Sequence, residues 1–315
     1  MNRKAIIVGI KKEKLTVDEK IFLKKEKPWG VILFSRNIKN LDQLKLLVKS
    51  IKDIFKDKNY PIIIDQEGGK VSRLNKILDF SLFSQGFFGN VYKNNNKFFQ
   101  RSYKIYTDAL FNILKDVGIN INTVPVLDVR KNGPLNFIKD RSFSHDPYIV
   151  TKIGKLCIDL HQKNKIGAVT KHIPGHGETS IDSHFSTPIV NTSKKKLLKK
   201  DFKIFKDCKS IFTMTAHVIY KSYDSKNVCT HSKIIINNLI RKKIKFKGII
   251  ISDDISMKAL KFNLIKNAVK ALEAGCNLIL HCNGNIKEMT LLSKVIPKID
   301  KFTRKKTTQF YKFLG

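Results

Sequence analysis

The 315-residue chain is short of acidic side chains, arginine, proline and long apolar runs, and each shortage removes a class of explanation. Asp and Glu number 26 against 61 Lys and Arg, for a formal net charge of +35. Only eight of those cations are arginine. Proteins that read base edges or fork phosphates favour the planar guanidinium. The lysines are spread along the whole chain, as the Lys, Ile, Asn and Phe bias of an A/T-rich coding sequence produces. A dedicated nucleic-acid role is therefore not expected, although such a field attracts polyanions and anionic membranes non-specifically. Proline and glycine are sparse, at 8 and 16, and 42% of residues are hydrophobic, which excludes a disordered chain. No run approaches the ~20 apolar residues of a membrane span. The apolar part of MNRKAIIVGIKKEK is shorter than the roughly 7–15 residues of a secretory signal core. Five cysteines, at 157, 208, 229, 276 and 282, show no C-x-x-C spacing and are odd in number. They exclude a disulfide framework and fit a reducing compartment. A cytoplasmic, monomeric protein without membrane insertion is the expectation.

What is present is a rhythm. Nearly continuous β-branched runs occur at 4–10 (KAIIVGI), 29–35 (WGVILFS), 60–66 (YPIIIDQ), 121–129 (INTVPVLDV), 166–173 (IGAVTKHI), 210–218 (SIFTMTAHV), 247–255 (KGIIISDDI) and 276–283 (CNLILHCN). Runs of this kind suit strands buried on both faces. Helical stripes lie between them, at 40–55, 98–119, 146–164, 193–208, 232–243 and 257–275. Asp146–Pro147 and Ser193 read as helix starts and Gly275 as a stop. Eight strands alternating with helices give an α/β fold, a TIM-type (β/α)8 barrel, as one catalytic domain over 1–315. An open doubly wound sheet would need a Gly-rich turn after the first strand, and GIKKEK is not one. The longest connection, 74–98, reads as an ordered insertion over one end.

Ionisable residues gather where the strands stop: Asp65, Asp128, Lys171 and His172, His217, Asp253 and Asp254, and His281. One acid after a strand is commonly a helix cap, and a lone His is commonly a satisfied core residue. Six strand ends behaving alike point to one shared site, because a parallel barrel puts all of them on one rim. His172 and His176 are four apart, as in a helical zinc pair, but Pro174 and Gly175 lie between them and no glutamate does. A catalytic metal is not expected.

The blocks IIIDQEGGKVSRL, KDRSF, KHIPGHGETSIDSH and IISDDISMKA resemble those of family 3 glycoside hydrolases, and within them the bacterial single-domain β-N-acetylglucosaminidases of peptidoglycan recycling. GVILFSRN, PVLDV, MTAHV and AGCNLILHCN extend the resemblance over about 29–285. It implies a retaining double displacement with Asp253 as nucleophile, and strand alternation points Asp253 and Asp254 to opposite sides. It implies an unusual acid/base, His184 held by Asp182. An imidazole with a pKa near 6.5 suits both proton transfers, and the carboxylate would fix its tautomer. It implies that Asp65, Arg73, Arg141, Lys171 and His172 hold the terminal sugar, with His176 and Asp128 behind them. Arg36 in FSRN reads equally as structural. Gly175, Gly177 and Pro174 would let the chain leave the fifth strand and arch over the rim with His184. Lys70, Asn277 and the insertion 75–98 depart from the family pattern; none removes a proposed catalytic group, and the insertion leaves leaving-group contacts open.

The resulting expectation is an exo-β-N-acetylglucosaminidase acting on peptidoglycan-derived amino sugars, with no cofactor. One alternative keeps the fold and uses phosphate as acceptor, since a His base adds no negative charge. The other is a basic nucleic-acid-binding barrel without catalysis, which would need an aromatic-lined groove that the sequence does not display.

Overall fold

The structure, a computed structural model, describes residues 2–131, 138–179, 183 and 185–315. Its centre is a closed parallel barrel of eight strands among the described residues: β1 (Lys4–Gly9), β2 (Pro28–Leu33), β3 (Ile62–Ile64), β4 (Ile121–Asn122), β5 (Gly167–Ile173), β6 (Phe212–Thr215), β7 (Ile249–Asp254) and β8 (Leu278–His281). Neighbours in sequence are neighbours in space, and β8 closes on β1 through Ile7↔Leu280 and Val8↔His281. Each strand coincides with one of the apolar runs. The strands are buried on both faces because helices cover the outside, which is why alternation is absent from their sequences.

The outer layer begins with α1 (Val17–Glu26), α2 (Leu41–Phe55), α3 (Gln85–Asn94), α4 (Asn96–Val117) and α5 (Pro147–Lys163). It continues with α6 (Lys194–Lys199), α7 (Asp201–Asp207), a π-helical stretch Ile234–Lys243, α8 (Leu264–Ala274), α9 (Ile286–Val295) and α10 (Lys301–Leu314). Asp146 caps α5 by accepting from the Tyr148 N–H, and Gly275 ends α8 in a left-handed conformation, both as read from sequence.

Three expectations need correction. The fourth strand pauses after Asn122, because Pro125 has no N–H to give the ladder. Pairing resumes as Lys171 donates to the Pro125 carbonyl and Leu127 donates to the Lys171 carbonyl. The 193–208 helix is broken at Lys200, where Asp201 turns inward and is buried. Residues 257–263 are not helical, since Ala259 is tied on both sides, its N–H to the Ser183 carbonyl and its carbonyl to Thr187 Oγ1. The insertion is ordered, as expected, but it carries a helix of its own, α3, whose Phe88 packs edge-on to Tyr103 of α4.

The two barrel ends differ. At the N-terminal end α10 seals the opening: Trp29 Nε1 donates to Thr307 Oγ1 at 2.9 Å, and Phe310 stacks edge-on to Phe212. A fully buried side chain of this size contributes about 1.5–3 kcal/mol. Arg3 and Tyr311 both hold Asp57 there. The C-terminal end is left for the polar residues. Among the described residues no helix is long and apolar enough to cross a membrane.

Candidate active site

A cleft of about 190 Å³ opens at the C-terminal strand ends. Its walls include Asp65, Arg73, Arg141, Lys171, His172, Asp253 and Asp254, together with Phe34, Thr123, His176, Met214 and Met257. All five residues expected to bind the sugar, and Asp253, therefore meet at one opening. Asp182 and His184 lie outside the described residues.

Asp65 follows β3 directly. Its Oδ2 accepts from Arg73 Nη2 at 2.6 Å, and its Oδ1 accepts from Lys171 Nζ at 2.7 Å and from Thr123 Oγ1 at 2.5 Å. Arg73 also donates from Nε to the Asp65 carbonyl. Burial would raise the Asp65 carboxyl, but Lys171 and Arg73 override it and hold the group well below its ordinary value. Lys171 donates to Thr123 as well and is ion-paired with Glu67, its Nζ standing 2.5 Å from Oε1. Burial works against its charge, yet Asp65 and Glu67 together raise its pKa.

Glu67 was not among the residues selected from sequence. It is 2% exposed. Its two oxygens accept from Arg141 Nε and Nη2, both at 2.8 Å, a planar fork on a planar carboxylate. The available signal was its spacing: two residues after Asp65 in D-Q-E-G-G. Its partners lie far off in sequence, Arg141 being 74 residues on.

His172 donates from Nδ1 to Asp128 Oδ2 at 2.6 Å, an ionised carboxylate being an acceptor only, which leaves Nε2 for a ligand. Asp128 also accepts the His172 and His176 backbone N–H groups, so one buried acid sets both the ring and the chain leaving β5. Burial raises that acid, but His172 outweighs it and the carboxyl is lowered. Burial, with His172 beside it, pulls His176 down to about 4. The exit from β5 depends on its glycines. Gly175 has φ +138°, and a Cβ on Gly177 would lie 1.8 Å from the Val129 carbonyl oxygen.

At the end of β7, Asp253 is half-buried and its Oδ1 accepts the Asp254 N–H at 2.8 Å. Burial raises this carboxyl, but His217 and His172 outweigh it, leaving it below its ordinary value. His217 donates from Nε2 to the Asp254 carbonyl at 3.0 Å, since a carbonyl only accepts. The alternation expected between Asp253 and Asp254 is incomplete, because both reach the cleft wall. They differ in their commitments. Asp254 accepts from the Ser256 N–H, Ser256 Oγ and the Cys282 N–H, which fixes the turn after β7. Arg36 does not line the cleft; it donates to the Ile10 and Cys282 carbonyls and ties together loops after β1 and β8. Among the described residues no group of three or more His, Cys, Asp or Glu is placed to hold a metal ion.

A closed parallel barrel with paired carboxylates and forked cations around one C-terminal cleft defines a (β/α)8-barrel enzyme. The family described as "Glycosyl hydrolase family 3 N terminal domain" matches residues 5–308. A β-hexosaminidase of Actinobacillus pleuropneumoniae serotype 3 is 32% identical over 287 residues, 88% of this chain and 81% of its own length. That of Haemophilus influenzae is 32% identical over 285 residues, 89% of this chain and 79% of its own. The crystal structure of NagZ from Neisseria gonorrhoeae in complex with N-trifluoroacetyl-D-glucosamine superposes with a TM-score of 0.87 at 26% identity, covering 98% of this chain and 90% of that one. The chain belongs to glycoside hydrolase family 3 and, among its members, to the β-N-acetylhexosaminidase type.

Proposed function

We propose that the protein is a retaining exo-β-N-acetylglucosaminidase that releases terminal N-acetylglucosamine from GlcNAc-β-1,4-anhydroMurNAc, with or without peptide, in peptidoglycan recycling. The observation that carries the reading is the pairing, in one cleft, of an ionised and lightly bonded Asp253 with the Asp65, Arg73, Arg141, Lys171 and His172 cluster. The N-trifluoroacetyl-D-glucosamine complex of the gonococcal protein agrees with an amino-sugar ligand. In this mechanism Asp65 accepts sugar hydroxyls while Arg73, Arg141 and His172 contribute polar contacts. The Asp253 carboxylate attacks the anomeric carbon, and the bond to the leaving oxygen breaks as His184, oriented by Asp182, gives that oxygen a proton. Water then attacks the same carbon, His184 takes its proton, and Asp253 departs. The roles of Asp182 and His184 rest on the sequence resemblance.

The test is turnover of an aryl β-N-acetylglucosaminide followed by proton NMR, without and with inorganic phosphate. The β anomer of free N-acetylglucosamine should form first in both. First appearance of the α anomer, absence of turnover, or N-acetylglucosamine 1-phosphate as the main product would each overturn the reading.

A further inference from the structure

Glu67 takes no part in the reaction above and is not among the residues lining the cleft. Its carboxylate nevertheless meets two cations, Arg141 through two bonds of 2.8 Å and Lys171 at 2.5 Å. Its backbone is pinned in a tight turn, the Glu67 N–H bonding to the Val71 carbonyl around Gly68 and Gly69, both of positive φ. Behind it stand Phe88, Tyr103 and Tyr106, the aromatic layer between α3 and α4. The carboxylate thus has packed rings on one side and two cations on the other. Both cations line the cleft. A guanidinium has five N–H donors in a fixed fork. Arg141 commits one edge of that fork to Glu67, so the orientation of its remaining donors follows from where Glu67 sits. A long, flexible side chain is thereby given one direction.

We propose that Glu67 is a positioning residue: it aims the Arg141 fork at the terminal sugar without touching the sugar. This rests on the assignment of Arg141 to sugar binding. The competing role is a counter-charge needed only for folding. The two differ in what they do to the molecules that have folded.

The experiment measures kcat and KM on an aryl β-N-acetylglucosaminide, per active site titrated with a fluoroglycosyl trap, for Glu67→Gln, Arg141→Ala and the double variant. Loss of a charge-assisted contact corresponds to roughly 10–100-fold in binding. Glu67→Gln should raise KM by that amount, with a smaller change in kcat. In the Arg141→Ala background it should add less than about 2-fold, since both act through one contact. If Glu67→Gln does not fold, Glu67→Asp, which keeps the charge and shortens the reach, should raise KM by roughly 3–10-fold. A KM within about 2-fold of the parent in the titrated variant, or effects that multiply in the double variant, would overturn the proposal. An unchanged KM in Arg141→Ala alone would instead remove the sugar assignment on which it stands.

Discussion

Asp65 and Asp253 are aspartates at the ends of β3 and β7, they line one cleft, and burial penalises the charge of both. Their surroundings part there. The Asp65 carboxylate is wrapped by Arg73, Lys171 and Thr123. Among the described residues the Asp253 carboxylate accepts one backbone N–H, and the His and Lys groups that keep it ionised act across space. A carboxylate saturated by donors is held as part of the wall and presents a fixed acceptor. One that is ionised but sparsely bonded keeps lone pairs for an electrophile. Under the proposed mechanism the contrast matches a holding role for Asp65 and a reacting role for Asp253. Asp254 extends it, since its bonds to Ser256 and Cys282 put it with the held group.

The contrast can be broken by substitution. The largest effect is expected at the proposed nucleophile: Asp253→Asn should lower kcat by on the order of 10⁴-fold while substrate affinity is retained. A kinetic assay finding less than a tenfold loss would move Asp253 to the wall. His184→Ala should cost about 10²–10⁴-fold in kcat on a poor leaving group. Its deficit should shrink on an activated aryl substrate, which needs less protonation. Equal deficits on both substrates would remove the general-acid role. Asp65→Asn should act mainly on KM, by roughly 10–100-fold, with a smaller change in kcat. A kcat loss as large as that of Asp253→Asn would erase the distinction between the two acids.

A third buried acid sharpens the comparison from another side. Asp201, beneath Gly175 at the start of α7, is 1% exposed and neither carboxylate oxygen has a hydrogen-bond partner among the described residues. Burial pushes its carboxyl up to about 7, with Glu178 and Asp128 adding to the rise and Lys200 opposing it. A carboxyl raised on folding binds its proton more tightly in the folded chain. Its stability contribution is full below about pH 4 and is lost as pH rises through 7. Asp201→Asn should therefore flatten the decline in melting temperature between pH 5 and pH 8, worth at most about 3 kcal/mol. A decline unchanged in the variant would show that Asp201 is paired in solution.

Much of this was legible before any coordinates. The strands were, because a parallel sheet covered on both faces must be largely apolar, and β2 is apolar throughout. The rim was, because charges at the ends of such strands have few other uses. What escaped depends on contacts distant in sequence. Glu67 reads as a neighbour of Asp65 until Arg141 and Lys171 are folded against it. Helix α8 starts later than its periodic residues suggest because Ala259 is spent on Ser183 and Thr187. The break at Lys200 follows from an acid turning inward, which a lysine-rich amphipathic pattern does not disclose.

The most direct measurement is to inactivate the enzyme with a 2-deoxy-2-fluoro or 5-fluoro glycosyl donor, digest it and locate the added sugar by mass spectrometry. The expected result is one labelled peptide, containing Ile249–Asp254, with the sugar on Asp253. A label on Asp65 or any other side chain, or rapid inactivation of Asp253→Asn by the same donor, would contradict it.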